Sequence, residues 1–258
     1  MKFEVIDFHT HPFVEKYERI GAYVPAVDMC TQDFFDEMDD AGVSLALGSV
    51  IGGKINSFED IHNHNLHALK LRDAYPGKYI PGIHVHPGYV EESKKEIEFA
   101  LRNNVKLIGE LVPYHHGWDG YDTDGFMEIV DSVNGTGLII DLHINNKEEL
   151  CQAEKAVKAY KDITFVMAHP GHGDRLEKHL EMLAEYENVY MDLSGSGIDL
   201  YGAIKKITDT VGYEKLLFGT DFPVTAFGTY ISAVLSEKIS DTAKEHIFSL
   251  NAKRILKI

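Results

Sequence analysis

The chain alternates between short apolar runs and longer amphipathic stretches, and it does so eight times. The apolar runs are rich in Val, Ile, Leu and Phe, as expected for strands that are buried on both faces of a parallel sheet. Their starts recur roughly every 25–40 residues, which is about the length of one strand plus one helix. The eight predicted strands cover residues 4–11, 43–50, 79–86, 105–112, 137–144, 163–170, 188–195 and 215–223.

The stretches between these runs have the spacing of amphipathic helices. Apolar residues within 150–160, 176–183 and 204–211 recur at three- and four-residue intervals, so each set falls on one helical face. Three pairs of residues have the spacing of a capping box, or nearly so, and indicate helix starts. The pairs are Ser93 with Glu96, Asn146 with Glu149, and Thr242 with Glu245.

Eight strand–helix units in one chain predict an α/β protein with a (β/α)8 TIM barrel fold. The length of 258 residues is usual for one such barrel, so we predict a single domain over residues 1–258. An open, doubly wound sheet is the alternative, because a strand–helix repeat excludes neither architecture. The segment 12–31 is long for a loop after a strand, and a lid over the pocket would explain it.

The charge of the chain narrows the classes of partner. It carries 25 basic and 41 acidic side chains, a formal net charge of −16. Such a surface repels phosphate backbones and anionic lipids, so we expect neither nucleic acids nor membranes as partners. An anionic substrate would need a locally basic pocket inside this negative field. We expect a small-molecule substrate, and the sequence leaves homo-oligomerisation open.

The N-terminus and the cysteines indicate a cytoplasmic location. The first eleven residues carry charges and histidines where a signal peptide would have an apolar core. The most apolar stretch, 43–51, is too short to span a bilayer. Cys30 and Cys151 lie far apart in the sequence and form no CxxC pattern, which favours free thiols in a reducing compartment.

Side chains that can bind metal fall at the C-terminal ends of five predicted strands. In a barrel these ends meet at one face, where active sites are built. His9 and His11 are two residues apart on one strand, so both imidazoles point the same way. A lone histidine there is commonly structural, but six such residues in register need a shared partner, and a metal ion serves them all. The six are His9, His11, Glu110, His143, His169 and Asp221.

These positions resemble the motifs of a known enzyme group. The segment Asp-Phe-His-Thr-His at 7–11 resembles the DxHxH signature of the amidohydrolase superfamily. The end of the chain resembles the tail motif of the amidohydrolase-related branch, which includes small-acid decarboxylases, lactonases and many predicted hydrolases. The resemblance covers the whole chain and is specific for the superfamily but not for the substrate. The remaining motifs are Gly-Glu at 109–110, His143, His-Pro-Gly at 169–171, Gly-Thr-Asp at 219–221, Asn-Ala at 251–252 and Arg-Ile-Leu at 254–256.

The resemblance implies a ligand set and a proton acceptor. His9, His11 and Asp221 would hold one divalent ion, which lowers the pKa of the attacking water and polarises the scissile carbonyl. Asp221 would take the proton from that water and later pass it to the leaving group. Zn²⁺ is the expected ion, and Mn²⁺, Fe²⁺ or Ni²⁺ also suit these ligands.

Glu110 bears on whether one ion or two are bound. With His143 and His169 it would make a second, bridged site, as in TatD-like enzymes. Decarboxylases of the amidohydrolase-related branch generally use one ion and lack the bridging group, so Glu110 favours two ions and hydrolysis. With one ion, Glu110 would instead orient a ligand histidine. His169 would then act as the base.

The sequence therefore predicts a metal-dependent hydrolase that cleaves an amide, ester or lactone bond of a small polar molecule with metal-activated water. The first alternative is a lyase that decarboxylates a small unsaturated or aromatic acid. A TatD-like nuclease has the same ligands, but the net charge of −16 and the absence of a basic stripe in the sequence argue against it. A non-catalytic binder is least favoured, because the ligand set is intact.

A second set of residues is expected around the substrate. It comprises two histidines at the end of the third strand, the loop after Glu110, and residues just past His143 and His169. Arg175 is a candidate partner for a substrate carboxylate, although the surface of a helix is its expected location. Asp192 and Ser194 lie on the inward face of the seventh strand, within reach of a ligand histidine or of substrate. The predicted substrate contacts are His84, His86, Tyr114, His115, His116, Trp118, Asn145 and His172.

Overall fold

The computed structural model describes residues 2–17, 20, 23, 26–52 and 55–258, and its described strands form one parallel sheet in sequence order. Each strand lies within one of the eight predicted runs. The strands are β1 Ile6–Thr10, β2 Leu45–Ser49, β3 Tyr79–Ile83, β4 Leu107–Leu111, β5 Ile139–Leu142, β6 Thr164–Met167, β7 Val189–Asp192 and β8 Leu216–Leu217.

The sheet curves round until its last strand meets its first. Phe8 N donates to Phe218 O at 2.8 Å, and Asp221 N donates to His9 O at 2.8 Å. A parallel bridge joins Thr10 to Phe222 further along. The sheet is thus a nearly closed barrel, which confirms the predicted TIM barrel and shows that the open doubly wound alternative is wrong.

Helices alternate with the strands and surround the barrel. One π-helical turn, His246–Leu250, separates the last two of them. The helices are α1 Thr31–Ala41, α2 Phe58–Ala74, α3 Val90–Arg102, α4 Pro113–His116, α5 Asp124–Val133, α6 Lys147–Ala159, α7 Asp174–Glu185, α8 Ala203–Val211, α9 Phe227–Ser236, α10 Asp241–Glu245 and α11 Asn251–Leu256.

Only one of the three predicted helix starts is correct. Asn146 caps α6, because its side chain accepts a hydrogen bond from Glu149 N at 3.0 Å. Helix α3 begins before Ser93, whose buried hydroxyl instead bonds the backbone of His86. Helix α10 begins before Thr242 and is capped by the hydroxyl of Ser240. Capping-box spacing alone does not distinguish a cap from a hydroxyl inside the first turn.

Two apolar clusters fill the molecule. The larger lies between the strands and the surrounding helices. The smaller draws a buried or partly buried residue from every strand, so it fills the barrel interior, and Ala252 and Leu256 of α11 pack against it. The barrel is therefore a packed core, and the site has to lie beyond its filled centre, at the strand ends.

A buried carboxylate joins the two strands where the barrel closes. Asp7 accepts hydrogen bonds from His9 N at 3.0 Å and from Thr220 N at 3.1 Å. The hydroxyl of Thr220 donates to its second oxygen at 2.6 Å. Burial raises the pKa of Asp7 to about 7, although the hydrogen bond from Thr220 opposes the shift. These bonds fix the backbone on either side of the closure, where His9 and Asp221 are located.

The segment predicted as a lid is described in part. Phe13 stacks on Tyr17 and contacts Phe34 of α1 edge-on, so the start of the segment is held against the barrel. Residues 18, 19, 21, 22, 24 and 25 lie outside the described residues, and the lid stays a prediction. Within the described part of the chain, no helix is long and apolar enough to cross a membrane.

Candidate metal centre

The structure brings all six predicted metal-capable side chains together at one end of the barrel. His9 and Glu110 lie inside strands, whereas the other four follow a strand end by one to four residues. The five side chains other than Glu110 contact Glu110 or a residue that does. Glu110 lies at the centre of the group and is only 2% exposed.

One oxygen of Glu110 faces the two histidines at the end of the first strand. Glu110 Oε2 lies 3.5 Å from His9 Nε2 and 3.4 Å from His11 Nε2. Asp221 Oδ1 lies beside the same two histidines, at 3.3 Å from His11 Nε2 and 3.9 Å from His9 Nε2. The donor atoms of His9, His11 and Asp221 all lie within 4.8 Å of one another, which is close enough to share one ion.

The other oxygen of Glu110 faces the two histidines that follow β5 and β6. Glu110 Oε1 lies 2.7 Å from His143 Nδ1 and 3.1 Å from His169 Nε2. The two imidazole nitrogens are 3.1 Å apart. The carboxylate therefore separates two sets of donor atoms, one facing each oxygen.

The outer nitrogens of the first two histidines are fixed by other strands. His9 Nδ1 donates to Asp192 Oδ2 of β7 at 3.0 Å. His11 Nδ1 donates to Ser49 O of β2 at 3.1 Å. Each bond sets the tautomer that leaves a lone pair on Nε2, which is how proteins orient ligand histidines.

The other two histidines are held in the same manner. His169 Nδ1 donates to Ser194 Oγ at 2.9 Å, and that hydroxyl donates in turn to Asp192 Oδ1. His143 Nε2 lies 3.0 Å from Asn145 Oδ1, leaving Nδ1 toward Glu110. The expectation that Asp192 and Ser194 would bond ligand histidines agrees with these contacts.

The donor set suits a divalent cation. His9 Nε2 is fully buried and has no hydrogen-bond partner among the described residues, although it points at the carboxylates. A buried imidazole nitrogen without a hydrogen-bond partner is unfavourable unless a hydrogen-bond donor or a metal ion binds it. Imidazole nitrogens with carboxylate oxygens are the ligands of Zn²⁺, Mn²⁺ and related ions. The residues present therefore fit a metal centre.

The electrostatics of the group favour positive charge. Burial opposes the charged forms, but the carboxylates outweigh it: the pKa of His9 is held well above its usual value, mainly by Glu110 and Asp192. Bonds to Asp221 and Glu110 likewise raise the pKa of His11 to about 9. Burial would raise the pKa of Glu110, yet the neighbouring imidazoles hold it well below its ordinary value. The carboxylates of the group thus favour a cation among these imidazoles.

Metal uptake should therefore release protons at neutral pH. With the pKa of His11 near 9, its imidazole carries a proton at pH 7 that an incoming ion has to displace. The apparent affinity should rise with pH by about tenfold per unit for each displaced proton, and the contribution of His11 should level off above its pKa of about 9. Calorimetric titration with Zn²⁺ or Mn²⁺ in buffers of different ionisation enthalpy measures this release. An affinity that does not change between pH 6 and 9 would contradict the assignment.

Two of the six residues adopt left-handed backbone conformations. His169 has φ 63° and Asp221 has φ 66°, which few residues other than glycine adopt without cost. A side chain at Gly195, itself at φ 58°, would begin 2.3 Å from His169 Nδ1. The backbone is thus bent so that these two side chains turn into the site.

A cavity of about 150 Å³ opens onto this group. Its wall includes five of the six metal-capable residues, all but His9. Three predicted substrate contacts also line it: Tyr114, which is 58% exposed, His115 and Asn145. These three stay predicted contacts, and the structure places them where substrate can reach them.

The other predicted substrate contacts do not line this cavity. His84 is buried and bonds Val50 O at 3.1 Å, and His86 bonds the backbone of His116 at 3.2 Å. His116 is itself buried, and Trp118 packs on Phe126. His84 and His86 follow β3, whereas His116 and Trp118 follow β4, and in both segments the side chains turn away from the cavity. Their contacts are those of structural residues.

His172 also lies outside the cavity. It is exposed and pairs with Asp199 at 3.2 Å on the neighbouring loop. The histidine turns to solvent because it follows Gly171, whose φ of 65° changes the direction of the chain. This residue therefore lies beside the mouth and not in its wall.

Several residues of the wall were not expected from the sequence. Arg175, predicted on a helix surface, lines the cavity together with Ser196. Ile51 and Val224 follow β2 and β8, so their place after a strand end was an available signal. Tyr23, from the predicted lid segment, also contributes.

The family of the chain follows from its sequence as a whole. A family model described as Amidohydrolase matches residues 6–258. The chain therefore belongs to the amidohydrolase family, as its DxHxH and later motifs predicted. A comparison with curated proteins finds no match.

Solved structures share the fold at low sequence identity. A protein described as amidohydrolase II has a TM-score of 0.79 at 17% identity, covering 99% of this chain and 100% of that one. A 5-carboxyvanillate decarboxylase from Sphingomonas paucimobilis has a TM-score of 0.76 at 14% identity, covering 99% of each chain. A dihydroxybenzoic acid decarboxylase from Polaromonas sp. JS666, solved with manganese and 2-nitroresorcinol, scores 0.74 at 13%, covering 99% and 97%. At these identities the likeness establishes the barrel fold alone.

Proposed function

We propose that the protein is a metal-dependent hydrolase acting on an amide, ester or lactone bond of a small molecule. The observation that carries the proposal is the position of Glu110, whose two oxygens face two different sets of donor atoms. A carboxylate placed in this manner suits a bridge between two ions, one beside His9 and His11 and one beside His143 and His169. Paired ions of this kind serve hydrolytic displacement.

Asp221 is the proposed proton carrier. Its side chain lines the cavity and is the most exposed of the six, and its Oδ1 lies 3.3 Å from His11 Nε2. When bound, a divalent ion supplies the Lewis acidity that lowers the pKa of water and polarises a carbonyl. The Asp221 carboxylate accepts the proton of the attacking water and then donates it to the leaving nitrogen or oxygen.

Decarboxylation of a small acid is the second candidate, and the structural comparisons favour it over hydrolysis. Two of the three solved structures described above are decarboxylases, one of them with manganese. His9, His11 and Asp221 also form a sufficient site for a single ion. In that case Glu110 orients the surrounding imidazoles and His169 acts on a proton. Manganese then becomes as reasonable an ion as zinc.

Metal content per chain separates the two candidates. Protein purified without added metal is measured by elemental analysis beside Glu110→Gln. The matched control is Glu96→Gln, because Glu96 is another buried glutamate paired with a histidine, His62, but lies on α3 and contacts none of the six metal-capable residues. Two ions in the wild type and in Glu96→Gln, falling toward one in Glu110→Gln, support the bridged hydrolase.

The contrary result is equally definite. One ion in the wild type that persists in Glu110→Gln would remove the bridging role, and CO₂ release from hydroxybenzoate-type acids would become the assay of choice. Under the hydrolase proposal, the same preparations should open lactones or cleave esters or amides and release no CO₂. Product analysis and metal content therefore test the proposal by independent measurements.

A further inference from the structure

Glu110 lies in an irregular part of the barrel. Two residues of β4, Gly109 and Glu110, lie opposite the single residue Asp141 of β5, so the ladder between the two strands has a β-bulge at this point. A bulge leaves a residue without its regular partner across the ladder and changes the direction of its side chain. The direction of the Glu110 side chain therefore depends on the contacts that fix the two strands beyond the bulge.

Tyr121 bonds to both strands immediately beyond the bulge. Its hydroxyl lies 2.9 Å from Leu111 O and 2.6 Å from His143 O. Leu111 is the residue after Glu110, and its carbonyl also accepts a hydrogen bond from His143 N at 3.0 Å. A phenol has one hydrogen to donate, so the two carbonyls share it. One hydroxyl thus joins the backbone next to Glu110 to the backbone of His143.

The ring of Tyr121 is itself held in place. The residue is fully buried, and its ring contacts Trp118 and Phe126 edge-on, at centroid distances of 5.6 and 5.4 Å. Its backbone N donates to Gln152 Oε1 of α6 at 3.2 Å. The preceding residue is Gly120, where a Cβ would lie 1.7 Å from that oxygen, so a larger residue would displace Gln152. The position of the hydroxyl is therefore set by the packing on both sides of the residue.

The Tyr121 hydroxyl retains its hydrogen for these bonds. Burial raises the pKa of Tyr121 well above its ordinary value, and the charges of Glu149 and Glu110 raise it further. Tyr121 is not among the described residues that line the cavity, so it does not reach substrate there. Its hydroxyl can therefore act on the metal centre only through the residues that it holds.

We propose that Tyr121 is a positioning residue of the metal centre, which sets the spacing between Glu110 and His143. Glu110 Oε1 lies 2.7 Å from His143 Nδ1, and that nitrogen lies 3.1 Å from His169 Nε2. These atoms form the second of the two donor sets, so a displaced His143 would open this set and leave the first one intact. The part of the inference that concerns a second ion rests on the proposed function, whereas the spacing itself does not require that ion.

The first test observes the contact between Glu110 and His143 in metal-free protein. The His143 Nδ1–H that is bonded to a buried carboxylate should give a downfield proton resonance, which is assigned by its absence from His143→Gln. Tyr121→Phe should shift this resonance upfield or broaden it by exchange with water, because phenylalanine fills the same space but bonds neither carbonyl.

The matched control is Tyr79→Phe. Tyr79 is also a buried tyrosine, and its hydroxyl donates to Gly48 O of β2 at 2.6 Å. Each substitution removes one buried hydroxyl, so both should lower the unfolding temperature to a similar extent. Only Tyr121→Phe should change the His143 resonance.

The second test measures metal binding by titrating the metal-free proteins with Zn²⁺. The binding step that is lost in His143→Gln identifies the second donor set. Tyr121→Phe should weaken this step by about 10–100-fold, as is typical when a residue that orients a ligand is lost. The other step should stay as it is in the wild type and in Tyr79→Phe.

Three results would overturn the positioning role. They are an unchanged resonance in Tyr121→Phe, an equal change of the resonance in Tyr79→Phe, and equal weakening of both binding steps in Tyr121→Phe. The failure of the proposed function looks different. A wild type that binds a single ion, with a resonance lost only in Tyr121→Phe, would retain the positioning role and reject the bridged hydrolase.

Discussion

Replacing Asp221 by Asn should lower turnover by about 10²–10⁴-fold, the usual contribution of a general acid–base group. Asn keeps an oxygen at the ligand position but cannot accept the proton of water. It is also the side chain best suited to the backbone at this position, where φ is 66°, so the variant should fold. Steady-state kinetics with the first substrate found, alongside metal content, measure the effect.

The control for this substitution is Asp199→Asn. Asp199 is exposed and pairs with His172 outside the cavity, so its loss should leave turnover unchanged. An Asp221→Asn variant with full metal content and wild-type turnover would show that the proton is taken elsewhere, and His169 would then be the residue to test.

Asp192→Asn should weaken metal binding by about 10–100-fold, as is typical when the outer partner of a ligand histidine is lost. Asp192 acts on one histidine of each donor set. It accepts a hydrogen bond from His9, and through the hydroxyl of Ser194 it orients His169. The charge of His9 also keeps the pKa of Asp192 low despite its burial, so the residue is an anion at neutral pH. Competition with a chromophoric chelator gives the affinity.

Ser194→Ala tells the two contacts apart. It removes the contact to His169 and leaves the bond between Asp192 and His9 in place, so its effect should be smaller and confined to one of the two sites. Equal losses in both variants would mean that the bond to His9 contributes little. A wild-type affinity in Asp192→Asn would show that the ligands are held by packing alone.

The barrel and the clustering of the six metal-capable side chains were predictable because their signals are local. A strand buried on both faces needs a continuous apolar run, and all eight runs became strands. The metal-capable residues follow from the same rule, since the ends of these runs fix where a side chain such as His143 or Asp221 emerges. Even β8, only Leu216–Leu217 in the structure, was recognisable from its run.

The residues that sequence reasoning misplaced depend on loop paths. His116 and Trp118 lie in the segment after β4, which turns them away from the cavity, and nothing in the local sequence specifies that direction. Arg175 lies on a helix whose first turn happens to face the cavity across Gly171. Ser93 likewise forms hydrogen bonds with the backbone of His86, and its capping-box spacing gives no sign of this contact.

The bonds that hold the four histidines have a consequence for how such a protein diversifies. Two of the outer partners, Ser49 and Asp192, belong to the strands β2 and β7, whereas Tyr23, Ile51 and Val224, which shape the cavity, belong to connecting segments. These two partners of the histidines and these three residues of the wall thus come from different parts of the chain, although Asn145 both contacts His143 and lines the cavity. Segments grafted between barrels of this kind could exchange one substrate for another and leave the chemistry intact, which makes the scaffold a suitable host for directed evolution.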